Sequence, residues 1–171
     1  MRVFFKFTLF VIIAILLLAS GCTSSPTLEK GRVSPNFEIY LVDTPKLGDV
    51  IDTTLSDIPV QSEPLLTEED LVIYDWSEHI LSLTPEGAKK FPSQIPLDGL
   101  PFVVMAKGER IYLGAFWTPI SSLYIPELPI IMMPSDSTTI QILYSSTSGQ
   151  VIDPRNNSKL YTVLKETGKL K

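Results

Sequence analysis

The alternation of apolar and polar residues predicts short strands spread along the chain. Residues 37–42, FEIYLV, are rich in the aromatic and β-branched side chains that strands favour. Residues 71–83, LVIYDWSEHILSL, alternate on either side of a polar break at 75–78, which predicts a hairpin or a bent strand. Residues 43–64 carry three prolines with mixed side chains, so we expect connecting structure with a short strand near Ile58.

Two apolar runs in the middle of the chain predict a further hairpin. Residues 102–106 and 111–116 flank the tetrapeptide Lys-Gly-Glu-Arg, in which Gly108 can take the positive φ that a tight turn requires. Another strand is expected over 139–144, where Thr, Gln and Leu occupy one face and Ile, Ile and Tyr the other.

Helix signals are fewer and predict short helices. Thr67 precedes three acidic residues, 68–70, which is typical of a capped helix start because acids complement the positive end of the helix dipole. Thr84 followed by Pro85 predicts a second helix start, since threonine caps and proline fits the first helical position. Pro92 keeps this helix brief because the residue before a proline avoids the α conformation.

The last residues predict a closing helix, and the order of elements then gives the fold class. Asp153 can cap this helix, Pro154 fits its first position, and Gly168 ends it. Strand signals outnumber helix signals, so we expect a single α+β domain, a mostly antiparallel sheet with short helices packed on one face. The apolar stripe of the closing helix is Leu160, Val163 and Leu164.

The first 22 residues have the layout of a secretory signal. Arg2 and Lys6 provide positive charge, residues 7–18 are apolar, and the small residues 19–21 precede Cys22. The stretch resembles a bacterial lipobox, in which the cysteine is alkylated by diacylglycerol and becomes the mature N-terminus. The resemblance implies that Cys22 carries lipid, palmitate included, that anchors the protein to the membrane.

Two other interpretations of this segment stay open. Cys22 can be an ordinary buried thiol, or the apolar run can remain as an uncleaved membrane anchor. With cleavage, the chain divides into a signal peptide (1–21), a lipidated flexible tether (22–35) and one domain (36–171). We expect that domain on the extracytoplasmic face of a bacterial cell membrane, with inner and outer membrane left open.

Composition narrows the partners of the mature chain. Loss of Arg2 and Lys6 with the signal leaves 12 of the 14 basic residues against 19 acids, a net charge of −7. An acidic domain repels phosphate backbones, so no nucleic-acid partner is expected. A single cysteine cannot form an internal disulfide, so the core alone must hold the domain together.

Three short motifs in the middle of the chain carry a family resemblance. They are LTEED at 66–70, GAKKF at 87–91 and KGERIY at 107–112. Their order and spacing resemble the extracytoplasmic head domain of SecD, a subunit of the bacterial preprotein translocase. The similarity covers about 70 of the 171 residues, roughly 63–133.

The resemblance implies the head-domain fold and an ability to contact extended polypeptide. It does not imply translocase activity, because the chain lacks the array of membrane spans through which translocases use a proton gradient. A lipid anchor also stands here where SecD has a membrane helix.

Candidate chemistry is sparse. His79 is the only histidine, and one imidazole without a second cysteine or histidine argues against a zinc site. We expect His79 to be a surface residue at a strand edge. The acids at 68–70 lack the alternating spacing of a calcium loop and are read as a solvated helix start. No metal, cofactor or catalytic residue is therefore assigned.

A proline-rich apolar stretch, residues 116–134, is the candidate partner surface. Its four prolines disfavour regular ladder pairing, which predicts an extended loop or sheet edge. Exposed, it would form a partner site; folded over the sheet, it would complete the core, and the second reading is preferred. The candidate contact residues are Trp117, Tyr124, Met132 and Met133.

Three functions follow in order of preference. The first is a membrane-anchored, non-enzymatic module that binds a protein or peptide. The second is an accessory lipoprotein that stabilises a larger envelope assembly through the 117–133 segment. The third is a hydrolase that uses His79.

Overall fold

The computed structural model describes residues 36–123, 127–133, 138–146 and 152–171 and builds them around one sheet of eight strands. The strands are β1 Phe37–Leu41, β2 Leu66–Thr67, β3 Leu71–Asp75, β4 Ile80–Leu83, β5 Leu100–Ala106, β6 Glu109–Trp117, β7 Ile130–Met132 and β8 Thr139–Leu143. The helices are α1 Pro85–Ala88 and α2 Ser158–Glu166, with 3₁₀ turns at Leu47–Asp49, Leu55–Asp57 and Pro154–Asn156.

The sheet is mixed and nearly closed. Its strand order is β2-β1-β5-β6-β7-β8-β4-β3, and β6 and β7 pair in parallel whereas the other neighbours are antiparallel. The two outermost strands, β2 and β3, are consecutive in the chain, so the turn 68–70 joins the two ends of the sheet. A single sheet-dominated domain with few short helices is therefore confirmed, but the sheet curls towards closure instead of carrying its helices on one open face.

The hairpin of β5 and β6 is the most regular part of the sheet. Its turn is Lys107 and Gly108, with φ of 50° and 74°, the two positive values that suit the twist of the flanking strands. This confirms the predicted turn. Because β5 is buried on both faces, its sequence is a continuous apolar run with no alternation.

Two apolar cores lie on opposite faces of this hairpin. The inner core fills the curled sheet and includes Phe37, Phe102 and Phe116, and the ring centroids of Phe102 and Phe116 lie 4.9 Å apart with the rings tilted. The outer core lies beneath residues 43–60, which we call the outer strap. Ile58 of the strap is buried there, and the expected short strand is reduced to one bridge between Val42 and Val60.

Arg110 fastens the outer strap to the sheet. Its guanidinium donates to the carbonyl oxygens of Leu55, Ser56 and Ile58 at 2.7, 3.0 and 2.5 Å. One nitrogen, Nη1, thus lies within hydrogen-bond distance of three carbonyl oxygens, which share its two hydrogens, in a segment with little regular backbone pairing of its own. The strap is therefore held from beneath by β6.

Both described α-helices start at capped positions. The Thr84 hydroxyl accepts from the Gly87 amide at 3.0 Å, as the sequence predicts. The cap of α2 is Asn157, whereas Asp153 caps the preceding 3₁₀ turn through the Arg155 amide. The predicted stripe of α2 is confirmed, since Leu160, Val163 and Leu164 are all buried in the inner core.

The helix predicted after Thr67 is wrong. Thr67 ends β2, and the next three residues form the turn into β3. The carboxylates of this turn accept hydrogen bonds from backbone amides. These bonds replace the ones that a helix would supply. Glu68 accepts from Asn36 and Phe37 at 3.0 and 3.1 Å, and Asp70 accepts from Thr67 at 2.9 Å.

Asp70 also contradicts the picture of a solvated acidic cluster. It is buried, and its carboxylate lies 2.7 Å from the Lys90 ammonium. The ion pair ties the β2–β3 turn to the residues that follow α1. Asp70 therefore contributes to the fold at the junction of the two sheet ends.

Within the described residues, no helix combines the length and apolar character needed to cross a membrane. These residues belong to one compact unit, Ser34–Lys171.

Candidate functional site

His79 and three polar partners form a cluster at the β3–β4 hairpin. We call Tyr74, His79, Asp153 and Arg155 the histidine cluster. His79 is only 6% exposed, so the expectation of a surface residue at a strand edge is wrong. Its φ of 52° lies in the left-handed region, which histidine visits more readily than most residues. The hairpin therefore turns at His79 itself.

Hydrogen bonds link Tyr74 to His79 and Asp153 to Arg155, and the two pairs lie side by side. The Tyr74 hydroxyl lies 2.9 Å from His79 Nδ1, and His79 Nε2 lies 4.0 Å from the Asp153 carboxylate. Arg155 grips Asp153 in a fork, with Nε–Oδ1 at 2.9 Å and Nη2–Oδ2 at 2.6 Å. Its Nη1 also donates to the Ile142 carbonyl at 2.5 Å. The cluster thus ties β3, β8 and the segment before α2 together.

Burial and charge fix the protonation states in the histidine cluster. Burial and the nearby Arg155 guanidinium lower the pKa of His79, and Asp153 opposes them in part. Burial acts to raise the pKa of Asp153, but the hydrogen bonds from Arg155 outweigh it and the pKa is lowered. Burial also raises the pKa of Tyr74. At neutral pH the imidazole and the phenol are therefore uncharged, and the carboxylate and guanidinium form an ion pair.

The neighbours of His79 favour one of its two neutral tautomers. A carboxylate beside Nε2 favours a proton on that nitrogen, which leaves Nδ1 to accept from the Tyr74 hydroxyl. In this arrangement neither ring nitrogen has a lone pair available for a substrate proton. The geometry therefore describes a histidine that supports the fold.

Aromatic rings pack around the histidine cluster. The Trp76 ring lies 5.8 Å from His79 and 5.1 Å from Tyr161 of α2, both edge-on. The Arg155 guanidinium lies 5.6 Å above the Tyr144 ring, a cation–π distance. Rings from the hairpin and from α2 therefore meet over the polar groups.

Trp117, one of the four residues of the predicted partner surface, is buried. This side chain belongs to β6 and is 3% exposed in the outer core. Met132 and Met133 are half-buried and pack against the outer and inner core respectively. Tyr124 lies outside the described residues, as does Cys22.

The proline-rich stretch contains a strand that its prolines concealed. Pro129 stands immediately before β7, where a missing amide costs no ladder bond, and its carbonyl accepts from Ala115 at 3.0 Å. β7 then fills the place between β6 and β8, with Ile130 and Ile131 buried. This part of the segment completes the sheet, in agreement with the preferred reading.

Sequence reasoning missed the roles of Tyr74 and Arg155 and treated Asp153 only as a helix cap. Their pairing with His79 is non-local, so no local spacing signals it. In the described ranges, no group of three or more His, Cys, Asp or Glu side chains is placed to hold a metal ion.

No family model, no curated protein and no solved structure matches the chain. The resemblance to the SecD head domain therefore rests on the three sequence motifs alone.

Proposed function

We propose that the chain is a lipid-anchored lipoprotein that binds a protein or peptide outside the membrane and does not act as an enzyme. The lipobox-like segment ending at Cys22 supports the anchor. The flexible composition of 22–35 supports a tether between anchor and domain. The SecD-like motifs agree with a polypeptide ligand.

The observation that carries this proposal is the state of His79. Nδ1 is bonded to Tyr74, and the carboxylate beside Nε2 is itself gripped by Arg155. A general base needs a free lone pair within hydrogen-bond reach of a substrate proton. The only histidine of the chain is instead buried in the β3–β4 hairpin, hydrogen-bonded to Tyr74 and close to the Asp153–Arg155 ion pair.

The anchor is tested by the mass of the N-terminal peptide from membranes of the producing cells. We expect that peptide to begin at Cys22 and to carry a diacylglyceryl group. A Cys22→Ala variant is the matched control and should leave the membrane fraction or keep its leader. An unmodified Cys22 in the wild-type chain would contradict the anchor.

A hydrolase that uses His79 is the second candidate. The carboxylate of Asp153 at 4.0 Å from Nε2 favours it, because catalytic histidines are commonly oriented by a carboxylate. The two candidates differ in the variant His79→Gln. Under the binding proposal this change lowers stability and leaves partner binding intact, whereas loss of an ester- or peptide-cleaving activity would favour the hydrolase.

A further inference from the structure

The last three residues of the sequence lie beside β3 as a short added strand. We call Lys169, Leu170 and Lys171 the tail. Leu170 forms a parallel bridge with Tyr74, whose amide donates to the Lys169 carbonyl at 2.6 Å. The Lys171 amide donates to the Tyr74 carbonyl at 2.9 Å, and the Lys171 carbonyl accepts from the Trp76 amide at 3.1 Å. Since β3 is an outermost strand of the sheet, the tail covers the edge of β3 that does not pair with β4.

The side chains of the tail show what kind of segment this edge accepts. Leu170 is half-buried and packs against the inner core. On one side of it, the Lys169 ammonium donates to the Leu71 carbonyl at 2.5 Å. On the other side, the Lys171 ammonium lies 3.0 Å from the Asp75 carboxylate. The edge of β3 therefore fits an extended segment in which an apolar residue stands between two basic ones.

Few interactions hold the tail in place. Three main-chain hydrogen bonds join it to residues 74–76, and in the ion pair with Asp75 the Lys171 side chain is 68% exposed. Exposed ion pairs contribute little to stability, and short segments with few buried apolar contacts open at low free-energy cost. The eight strands of the sheet pair with one another without the tail. The tail can therefore leave β3 while the sheet stays intact.

Gly168 separates the tail from α2. Its φ of 69° lies in the left-handed region, which glycine adopts without strain. Its amide donates to the Lys165 carbonyl at 3.1 Å, and the Lys169 amide donates to the Leu164 carbonyl at 2.8 Å. These two bonds satisfy carbonyl groups at the end of α2 in the pattern of a Schellman motif. Because they do not involve β3, α2 keeps its end when the chain beyond the Lys169 amide moves.

We infer that the edge of β3 binds an extended segment of a second protein, in which an apolar residue stands between two basic ones, and that the tail occupies this site in its absence. This inference rests on the proposed binding function and names the site and the class of ligand. Peptides add to sheet edges as further strands, with main-chain bonds for affinity and side-chain pockets for specificity. Here Tyr74 and Trp76 supply the main-chain bonds, the inner core takes the apolar side chain, and Asp75 takes a basic one.

Charge and tethering set the competition between the tail and the ligand. The mature chain has 12 basic and 19 acidic residues, a net charge of −7, which attracts a basic segment. The tail is attached to the domain, so it competes at an effective concentration of millimolar order. Weakening the docked tail should therefore increase ligand binding at β3.

Site-specific photocross-linking of the full-length chain in its own cells tests this inference. A photoreactive residue replaces Val72, which is 56% exposed on β3. In a second strain it replaces Leu97, which is 55% exposed in the loop before β5. Mass spectrometry then identifies the segment attached to each probe.

Two tail variants and one control are combined with each probe. Leu170→Asp undocks the tail, because a carboxylate is costly in an apolar core. Lys171→Glu replaces an exposed ion pair by a repulsion and so weakens the tail without changing the core. Ile120→Asp, at an 81% exposed position after β6, is the matched control for an apolar-to-acidic change. The urea midpoint of each purified variant shows that its domain is folded.

The inference expects Leu170→Asp to raise the yield of protein adducts at position 72 at least about tenfold and Lys171→Glu about threefold, with no change in Ile120→Asp. The attached segments should carry an apolar residue between two Lys or Arg residues. Unchanged yields in both tail variants would overturn the inference, as would adducts at position 72 to lipid, to the tail of a second copy or to segments without this pattern. Protein adducts only at position 97 would also overturn it but leave the proposed binding function standing. Absence of protein adducts at both positions would contradict both.

Discussion

The histidine cluster and the tail both contact Tyr74 and differ in how they are held. In the histidine cluster, polar groups are buried or partly buried and hydrogen-bonded in two pairs, Arg155 with Asp153 and Tyr74 with His79. The tail is held by three main-chain hydrogen bonds and an exposed ion pair. Polar and titratable residues can thus support the fold, whereas a few aliphatic side chains such as Ile120 are exposed. Residue type alone does not assign function in this domain.

Among the variants that test this contrast, Arg155→Met should have the largest effect on stability. The change leaves the Asp153 carboxylate without its fork and the Ile142 carbonyl without a donor, in a partly buried place. We expect a loss of about 2–3 kcal/mol in the free energy of unfolding, measured by urea denaturation. Lys107→Met, which removes an exposed ion pair with Glu166, is the control and should cost less than about 1 kcal/mol. Equal effects would show that the cluster does not support the fold.

Tyr74→Phe should have a smaller effect. The ring stays in the inner core, but His79 Nδ1 loses its donor in a buried site. A buried acceptor without a partner costs about 1–2 kcal/mol, so the urea midpoint should fall accordingly. Tyr161→Phe, at a half-exposed position on α2, should leave the midpoint nearly unchanged. If Tyr74→Phe left the urea midpoint unchanged, the 2.9 Å contact between Tyr74 and His79 would add nothing to stability.

The pH dependence of stability should carry the signature of His79. Its pKa in the fold lies below its ordinary value of 6.5, mainly through burial and Arg155, with Asp153, Asp75 and Glu78 opposing. The unfolded chain therefore takes up a proton first as pH falls. The contribution of His79 to the free energy of unfolding is therefore complete above pH 6.5 and decreases below it. The decrease ends once the pH is below the folded-state pKa.

His79→Gln should remove this fall between pH 6.5 and the folded-state pKa. Thermal melts of both proteins at stepped pH give the comparison. The lowered pKa of Asp153 acts in a separate window, since its contribution is present above the ordinary value of 3.8 and is lost as pH falls through the folded-state pKa. An identical pH profile in the variant would show that His79 does not titrate in this way.

The smallest expected effect on stability is that of Ile120→Asp. The side chain is 81% exposed, so the free energy of unfolding should change by less than about 0.5 kcal/mol. A marked loss of stability would show that Ile120 packs against the fold.

Elements that depend on neighbouring residues could be predicted from the sequence. The Lys107–Gly108 turn, the Thr84 cap and the stripe of α2 each depend on residues within a few positions, and the structure has all three. The helix predicted after Thr67 was wrong because the carboxylates of Glu68 and Asp70 accept hydrogen bonds from backbone amides outside any helix. β7 was missed because prolines around it weakened the strand signal.

The candidate site could not be predicted in the same way. Tyr74 and His79 meet Asp153 and Arg155 only because β4 pairs with β8 and the chain then returns towards α2. This contact depends on the tertiary fold, which no spacing within the sequence encodes. The closing of the sheet between β2 and β3 is likewise a property of the whole domain.

One measurement tests the division between framework and binding surface most directly. The yield of protein adducts of the photoreactive residue at position 72 is compared in His79→Gln and Leu170→Asp backgrounds, at a temperature where both variants are folded. The account predicts that the yield stays near that of the unmutated chain with His79→Gln and rises at least about tenfold with Leu170→Asp. The opposite pattern, a yield that depends on His79 and ignores Leu170, would contradict it.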